Sequence, residues 1–147
     1  MEVIGGEKFT ELYKKLKAAG KDADKAVNEG LRLGAMAIQA AAKLNIRSVG
    51  AYDTGQLFRS ISHEEIENGY AVGTNVEYAP YIEYGTGTLG SDEVAHSQRE
   101  SWSYVGLDGN WHRAKAQPPR PYLRPAFDSN IETVKTLLRR KMLEVFD

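Results

Sequence analysis

The stretch from Asp22 to Ile46 constrains the fold of this chain more than any other, because it is one long helical pattern built largely from small side chains. Val27, Leu31, Gly34, Ile38, Ala41 and Ala42 repeat at helical spacing and form its inward face. Gly30, Ala35, Ala37 and Ala40 keep the surface low, so another element can approach closely. Packing on a sheet of the same chain is the expectation, with packing against a neighbouring subunit as the alternative. Asp22 or Asp24 is the expected N-cap, since a carboxylate there accepts from the free amides of the first turn.

Two further helices flank this one. Phe9, Leu12, Tyr13 and Leu16 predict a short helix within residues 1–20, ended by Gly20. Ile131, Val134, Leu138, Met142 and Val145 predict a terminal helix capped by Asp128 or Ser129, with Arg139, Arg140 and Lys141 in its last turns. Between the long helices the period changes to two. Ile61–Glu67 and Tyr70–Thr74 flank Asn68-Gly69, which predicts a hairpin with positive φ at both central residues. Pro80 argues against a central strand in the aromatic run Tyr78–Tyr84, which therefore predicts a short helix or turn.

Residues 88–117 are the least regular. Thr88–Glu100 is polar and predicts a mobile loop, and the following segment predicts a hairpin turning at Asp108-Gly109. With 147 residues there is room for one core. The expected fold is a single α+β domain over 1–147: a small antiparallel β-sheet packed with a long helix and a C-terminal helix, plus an extended β-hairpin and loop insertion at 88–117.

Site chemistry is sparse. The formal net charge of -1 supplies no basic excess for binding phosphates, and zero cysteines remove thiol nucleophiles and cysteine-based zinc sites. His63, with Glu64 and Glu65 beside it, raises a metal-dependent hydrolase that would also use His96 or His112. On a strand, however, His63 and Glu65 share a face and Glu64 does not, and no HExxH accompanies them. No serine lies in a GxSxG elbow, and Gly85, Gly87 and Gly90 form no phosphate loop. The expectation is no enzyme, no cofactor and no metal. Leu31–Ala42 is too short to span a bilayer, so no membrane association is expected.

Two features rise above this background. Tyr and Trp are enriched where proteins meet, and Trp102, Tyr104 and Trp111 sit on the expected hairpin. Arg113, Arg120 and Arg124 belong to a strip from Trp111 to Phe127 without an acidic residue. Pro118, Pro119, Pro121 and Pro125 predict an extended approach to the last helix, from which Arg120 and Arg124 project. These six residues are the protein-interface candidates. A nucleic-acid-binding module using the same arginines and aromatics is the alternative.

The order DTGQLFRSI (Asp53–Ile61), VGTNVEYAPYIEYGTG (Val72–Gly87) and PPRPYLRPAFDSN (Pro118–Asn130) resembles the minor head–tail joining and tail-completion proteins of long-tailed siphophages and related prophages. The resemblance implies a structural virion protein that forms a ring, usually hexameric, which terminates the tail tube and joins it to the head connector. Its implied partners are copies of itself, the tail tube protein, and the connector or stopper protein. DNA would pass through the lumen without specific binding. The implied location is the head–tail junction of the virion, reached from the host cytoplasm during assembly. No catalytic residue is carried over.

Overall fold

The structure, a computed structural model, describes residues 20–146. The helix expected around Phe9–Leu16 lies outside the described residues. The long pattern forms α1 (Lys21–Ser48), which begins at Gly20 and makes no side-chain cap. The expected caps Asp22 and Asp24 instead lie inside the first turn, where their charge meets the positive end of the helix dipole. The helix ends in a Schellman motif. The Ala51 amide reaches the Ile46 carbonyl, and the Gly50 amide reaches that of Arg47. Gly50 sits at φ 68, the left-handed position this ending demands, and Ala51 is buried beneath it.

The chain then forms α2 (Gln56–Ser60), β1 (Ser62–Ile66), β2 (Gly69–Gly73), α3 (Ala79–Tyr84), a 3-10 turn at Gly87–Leu89, β3 (Ser101–Val105), β4 (Trp111–Lys115), α4 (Leu123–Asp128) and α5 (Ile131–Phe146). The fold is α+β. Its sheet component is two separate antiparallel hairpins, β1–β2 and β3–β4. By contact the chain divides into two compact units. One holds the described residues up to Val76 together with those from Tyr122 on, and the other is Glu77–Pro121.

In the first unit the small face of α1 meets α5, a helix and not the expected sheet. A Cβ on Gly34 would lie 2.8 Å from Val134 Cγ2, and one on Gly30 would lie 3.0 Å from the Leu138 Cα. Val27, Leu31, Ile38, Ala42 and Ile46 are buried on α1, as are Val134 and Leu138 on α5. Each large aliphatic side chain removed from water contributes about 1.5–3 kcal/mol. The β1–β2 hairpin also packs on α1, through its face bearing His63 and Tyr70: His63 Nδ1 hydrogen-bonds Gln39 Oε1. Leu57 and Ile61 complete this core, and Ser60 and Thr74 join their hydroxyls at 2.6 Å.

Three local expectations change. Ile66 pairs with Gly69, so the β1–β2 turn is Glu67-Asn68, and Asn68 alone carries positive φ, at 64. The approach to the last helix is not wholly extended, because Arg124 and Pro125 lie in α4, where proline is tolerated in a first turn whose amides lack helical partners. Asp128 and Ser129 close α4, and α5 follows Asn130, whose carbonyl accepts from Val134 at 2.9 Å. Tyr122, Leu123 and Ala126 are buried, and Asn45 Nδ2 donates to the Tyr122 carbonyl at 3.0 Å.

Candidate interaction surfaces

The second unit begins with α3, whose Pro80 lies at the helix start, as the aromatic run predicts. Tyr78 and Tyr81 point to solvent, while Ala79 and Glu83 are buried. Backbone bonds close the base of the long excursion: Thr86 and Gln117 exchange amide–carbonyl bonds of 2.8 and 3.2 Å. The Ala116 amide donates to Glu100, the Thr88 amide to Arg99, and the Arg120 amide to Ile82 near the end of α3. The excursion thus leaves and returns through one hydrogen-bonded neck.

Above that neck stands the β3–β4 hairpin, turning at the expected place. The Gly106 amide bonds the Asn110 carbonyl at 2.9 Å, leaving a three-residue loop that ends at Gly109 with φ 75. Asp108 holds the loop from inside. Its carboxylate accepts from the Asn110 amide at 3.0 Å and lies 2.9 Å from His112 Nε2. The His112 contact, and then the Asn110 amide, hold the Asp108 carboxyl below its usual pKa. Tyr104 stacks on His112 at 5.6 Å across the strands, so the tip is pinned by side chains as well as backbone.

The register sorts the candidate residues. Trp102 pairs with Ala114 and Tyr104 with His112, so these share one face. Ser103 pairs with Arg113 and Val105 with Trp111, on the opposite face. The two tryptophans therefore point in opposite directions. Trp102 is half-buried, whereas Trp111 is 75% exposed beside an exposed Val105, with Leu107 bare at the tip. Arg113 donates to Ser101 Oγ at 3.0 Å and Lys115 follows it on the same face, giving that face an apolar end and a cationic end. Arg120 lies at the end of this unit, while Arg124 belongs to the first unit, on α4.

A second surface, in the first unit, escapes the sequence pattern. The Arg47 guanidinium lies 4.5 Å from the Phe58 ring centre and 5.3 Å from that of Tyr52, and Lys43 Nζ lies 5.5 Å from Phe58. Tyr52 and Phe58 meet edge to face at 5.5 Å. Arg59 joins them: the place of a Cβ on Gly55 is taken by its guanidinium at 2.7 Å and by the Tyr52 hydroxyl at 2.8 Å. The signal for this cluster was the basic and aromatic residues on either side of Asp53-Thr54-Gly55, which no local period links to the end of α1.

The histidines have separate partners. Besides His63 on Gln39 and His112 on Asp108, His96 Nδ1 bonds the Gly87 carbonyl at 2.7 Å, with Asp92 3.4 Å from its Nε2. Those contacts, the Gly87 carbonyl first, raise its pKa above the usual value. Among the described residues no group of three or more His, Asp or Glu could hold a metal ion, and no helix is long and apolar enough to cross a membrane.

Comparison with known families places this geometry. Residues 10–85 match the HK97-gp10-like family model, whose description is "Bacteriophage HK97-gp10, putative tail-component". The match runs through α1, both elements of the cation–aromatic cluster, β1–β2 and α3, and ends just before the neck of the excursion. No curated protein and no solved structure matches the chain.

Proposed function

Because this chain belongs to the HK97-gp10-like family of bacteriophage tail components, and so is a structural protein of the virion, we propose that it acts at the head–tail junction. It assembles there as a hexameric ring that terminates the tail tube and joins it to the head connector or stopper protein. It works by contact, without catalysis or a cofactor.

The observation that carries this reading is the β3–β4 hairpin. A two-stranded sheet is marginal in water, and this one turns Trp111, Val105 and Leu107 outward with Arg113 and Lys115 below them. Aromatic and arginine side chains in an exposed apolar setting are the residues that dominate protein interfaces. A hairpin raised on a closed neck can reach a neighbouring copy or the end of the tube. The net charge of -1 also suits a ring through which DNA passes, since a strongly basic lining would hold phosphates by counterion release.

Electron microscopy of particles from a phage or prophage lacking this gene tests the proposal. Filled heads and separate tails that fail to join are the expected result, and the defective end shows which side the protein completes. Normal joined virions refute the joint role.

A further inference from the structure

The first unit carries two unpaired surfaces of opposite charge. Lys43, Arg47 and Arg59 form no ion pair among the described residues, and Asp53, their nearest acid in sequence, forms none either. On the β1–β2 hairpin of this unit, Glu64, Glu65 and Glu67 are exposed and likewise have no ion-pair partner among the described residues. Strand β1, which carries Glu64 and Glu65, pairs among the described residues with β2 alone, which leaves its outer edge without a strand partner there.

We propose that the cation–aromatic cluster around Arg47 is the docking surface for the acidic β1 strand of a second copy of this chain. This inference rests on the ring reading and names its subunit contact. Three observations favour a protein strand over nucleic acid. Leu44, 67% exposed, sits one turn from Arg47, and Tyr52 is 46% exposed beside it, so the cations frame apolar surface. Stacking on Tyr52 and Phe58 holds the Arg47 guanidinium in place, which lowers the entropy lost when its edge meets a carboxylate. The chain as a whole is also near neutral, with an acidic surface available to match the basic one.

The spacings agree. Lys43 and Arg47, one helical turn apart, are separated by about 6 Å along the axis. Glu65, near the end of β1, and Glu67, in the turn that follows, are two residues apart, so their α-carbons lie at most about 7 Å from each other. Because the two surfaces are different parts of one unit, the contact is head-to-tail, the kind that closes into a ring when the rotation between copies permits.

The test uses the full chain supplied to particles that lack their own copy. The sequence contains no cysteine, so Leu44→Cys with Glu67→Cys introduces two thiols, and a short bismaleimide should produce a ladder of multimers from purified particles. Reversing the cations (K43E, R47E, R59E) or the remaining acids (E64K, E65K) should each abolish the ladder in chains whose circular dichroism is unchanged. Reversing both sets in one chain should restore it. Protein present in particles without a ladder overturns this contact and leaves the ring reading standing. Absence of the protein from particles overturns the ring reading and the contact together. A ladder indifferent to charge reversal overturns the charge pairing. Salt-sensitive retention on double-stranded DNA that vanishes with R47E, with no ladder, identifies the surface as a phosphate site instead.

Discussion

Gly34→Ala should destabilise the protein, although alanine is the better helix former. The new methyl would lie 2.8 Å from Val134 Cγ2 and 2.9 Å from Val134 Cγ1, inside van der Waals contact with both branches. Val134 is buried and β-branched on a helix, so it has one strongly preferred rotamer and nowhere to turn. Overpacking of this kind costs about 1–3 kcal/mol, while replacing glycine within a helix returns about 1 kcal/mol. The net loss is about 0–2 kcal/mol. Val134→Ala alone opens a small cavity and should cost about 1–3 kcal/mol, less than the larger aliphatic truncations. In the double variant the methyl added at position 34 occupies space that the valine branches vacated, so the two losses should not add. The cycle should show a favourable coupling of about 1–2 kcal/mol, within the range of contacting residues. Urea unfolding followed by circular dichroism measures all four corners. A stabilising Gly34→Ala, or strictly additive losses, would refute the close approach of α1 and α5.

Other predictions concern the excursion and the histidines. Trp111→Ala should change stability by no more than about 0.5 kcal/mol, as for other surface changes, yet reduce recovery of joined particles. Trp102→Ala should destabilise the fold as well, by about 1–3 kcal/mol for a half-buried aromatic; equal thermal melts for the two would refute the assignment of faces. His96 has a raised folded pKa, so its stabilisation of the loop is complete below the unfolded value near 6.5 and is lost as pH rises through the folded value. Amide exchange of residues 87–99, corrected for its intrinsic dependence on pH, should therefore quicken on going from acid to mildly alkaline pH, and His96→Gln should remove the dependence. For Asp108 the sign reverses: its depressed pKa stabilises the hairpin tip above the ordinary carboxylate range, and that contribution is lost as pH falls through the folded value. Calorimetric titration with Mn²⁺ and Zn²⁺ should be flat, and a stoichiometric heat would revive the metal-dependent reading of His63.

What was legible in the sequence was what short-range periodicity encodes. The buried stripe of α1, the α5 stripe and the Asp108-Gly109 hairpin follow from repeats of three to four or two residues together with turn chemistry, and they stand where those signals put them. The misplacements fall where neighbours decide. Asn68-Gly69 reads as a turn pair, but the register that packs His63 and Tyr70 towards α1 moves the turn back one residue. Four prolines read as an extended run, but the last fits the opening turn of α4, where its missing amide costs nothing. The opposite facing of Trp102 and Trp111 is fixed by register, which depends on a three-residue loop count that composition does not reveal. The Arg47 cluster joins side chains from the end of α1, the loop after it and α2, so no single periodic window contains it.

The same helix supports both parts of this picture, and its two ends do different work. From Val27 to Ile38 its small and aliphatic face is spent on α5 and on β1–β2, which fixes the hairpin carrying Glu64 and Glu65. From Lys43 to Ser48 its outer side turns to Tyr52 and Phe58 and presents cations to solvent. Both charged surfaces are therefore anchored to one helix, whose packing against β1–β2 and α5 holds the frame between them. A ring needs this property, because a small error in the angle between the two contacts accumulates around the circle and prevents closure. If the chain forms the ring proposed above, variants that loosen the α1–α5 packing but keep the chain folded, such as Gly34→Ala, should impair its closure more than their loss of stability explains. Negative-stain imaging that shows open arcs in place of closed rings would reveal the effect, and undisturbed rings from a destabilised variant would show that the two contacts tolerate a flexible frame.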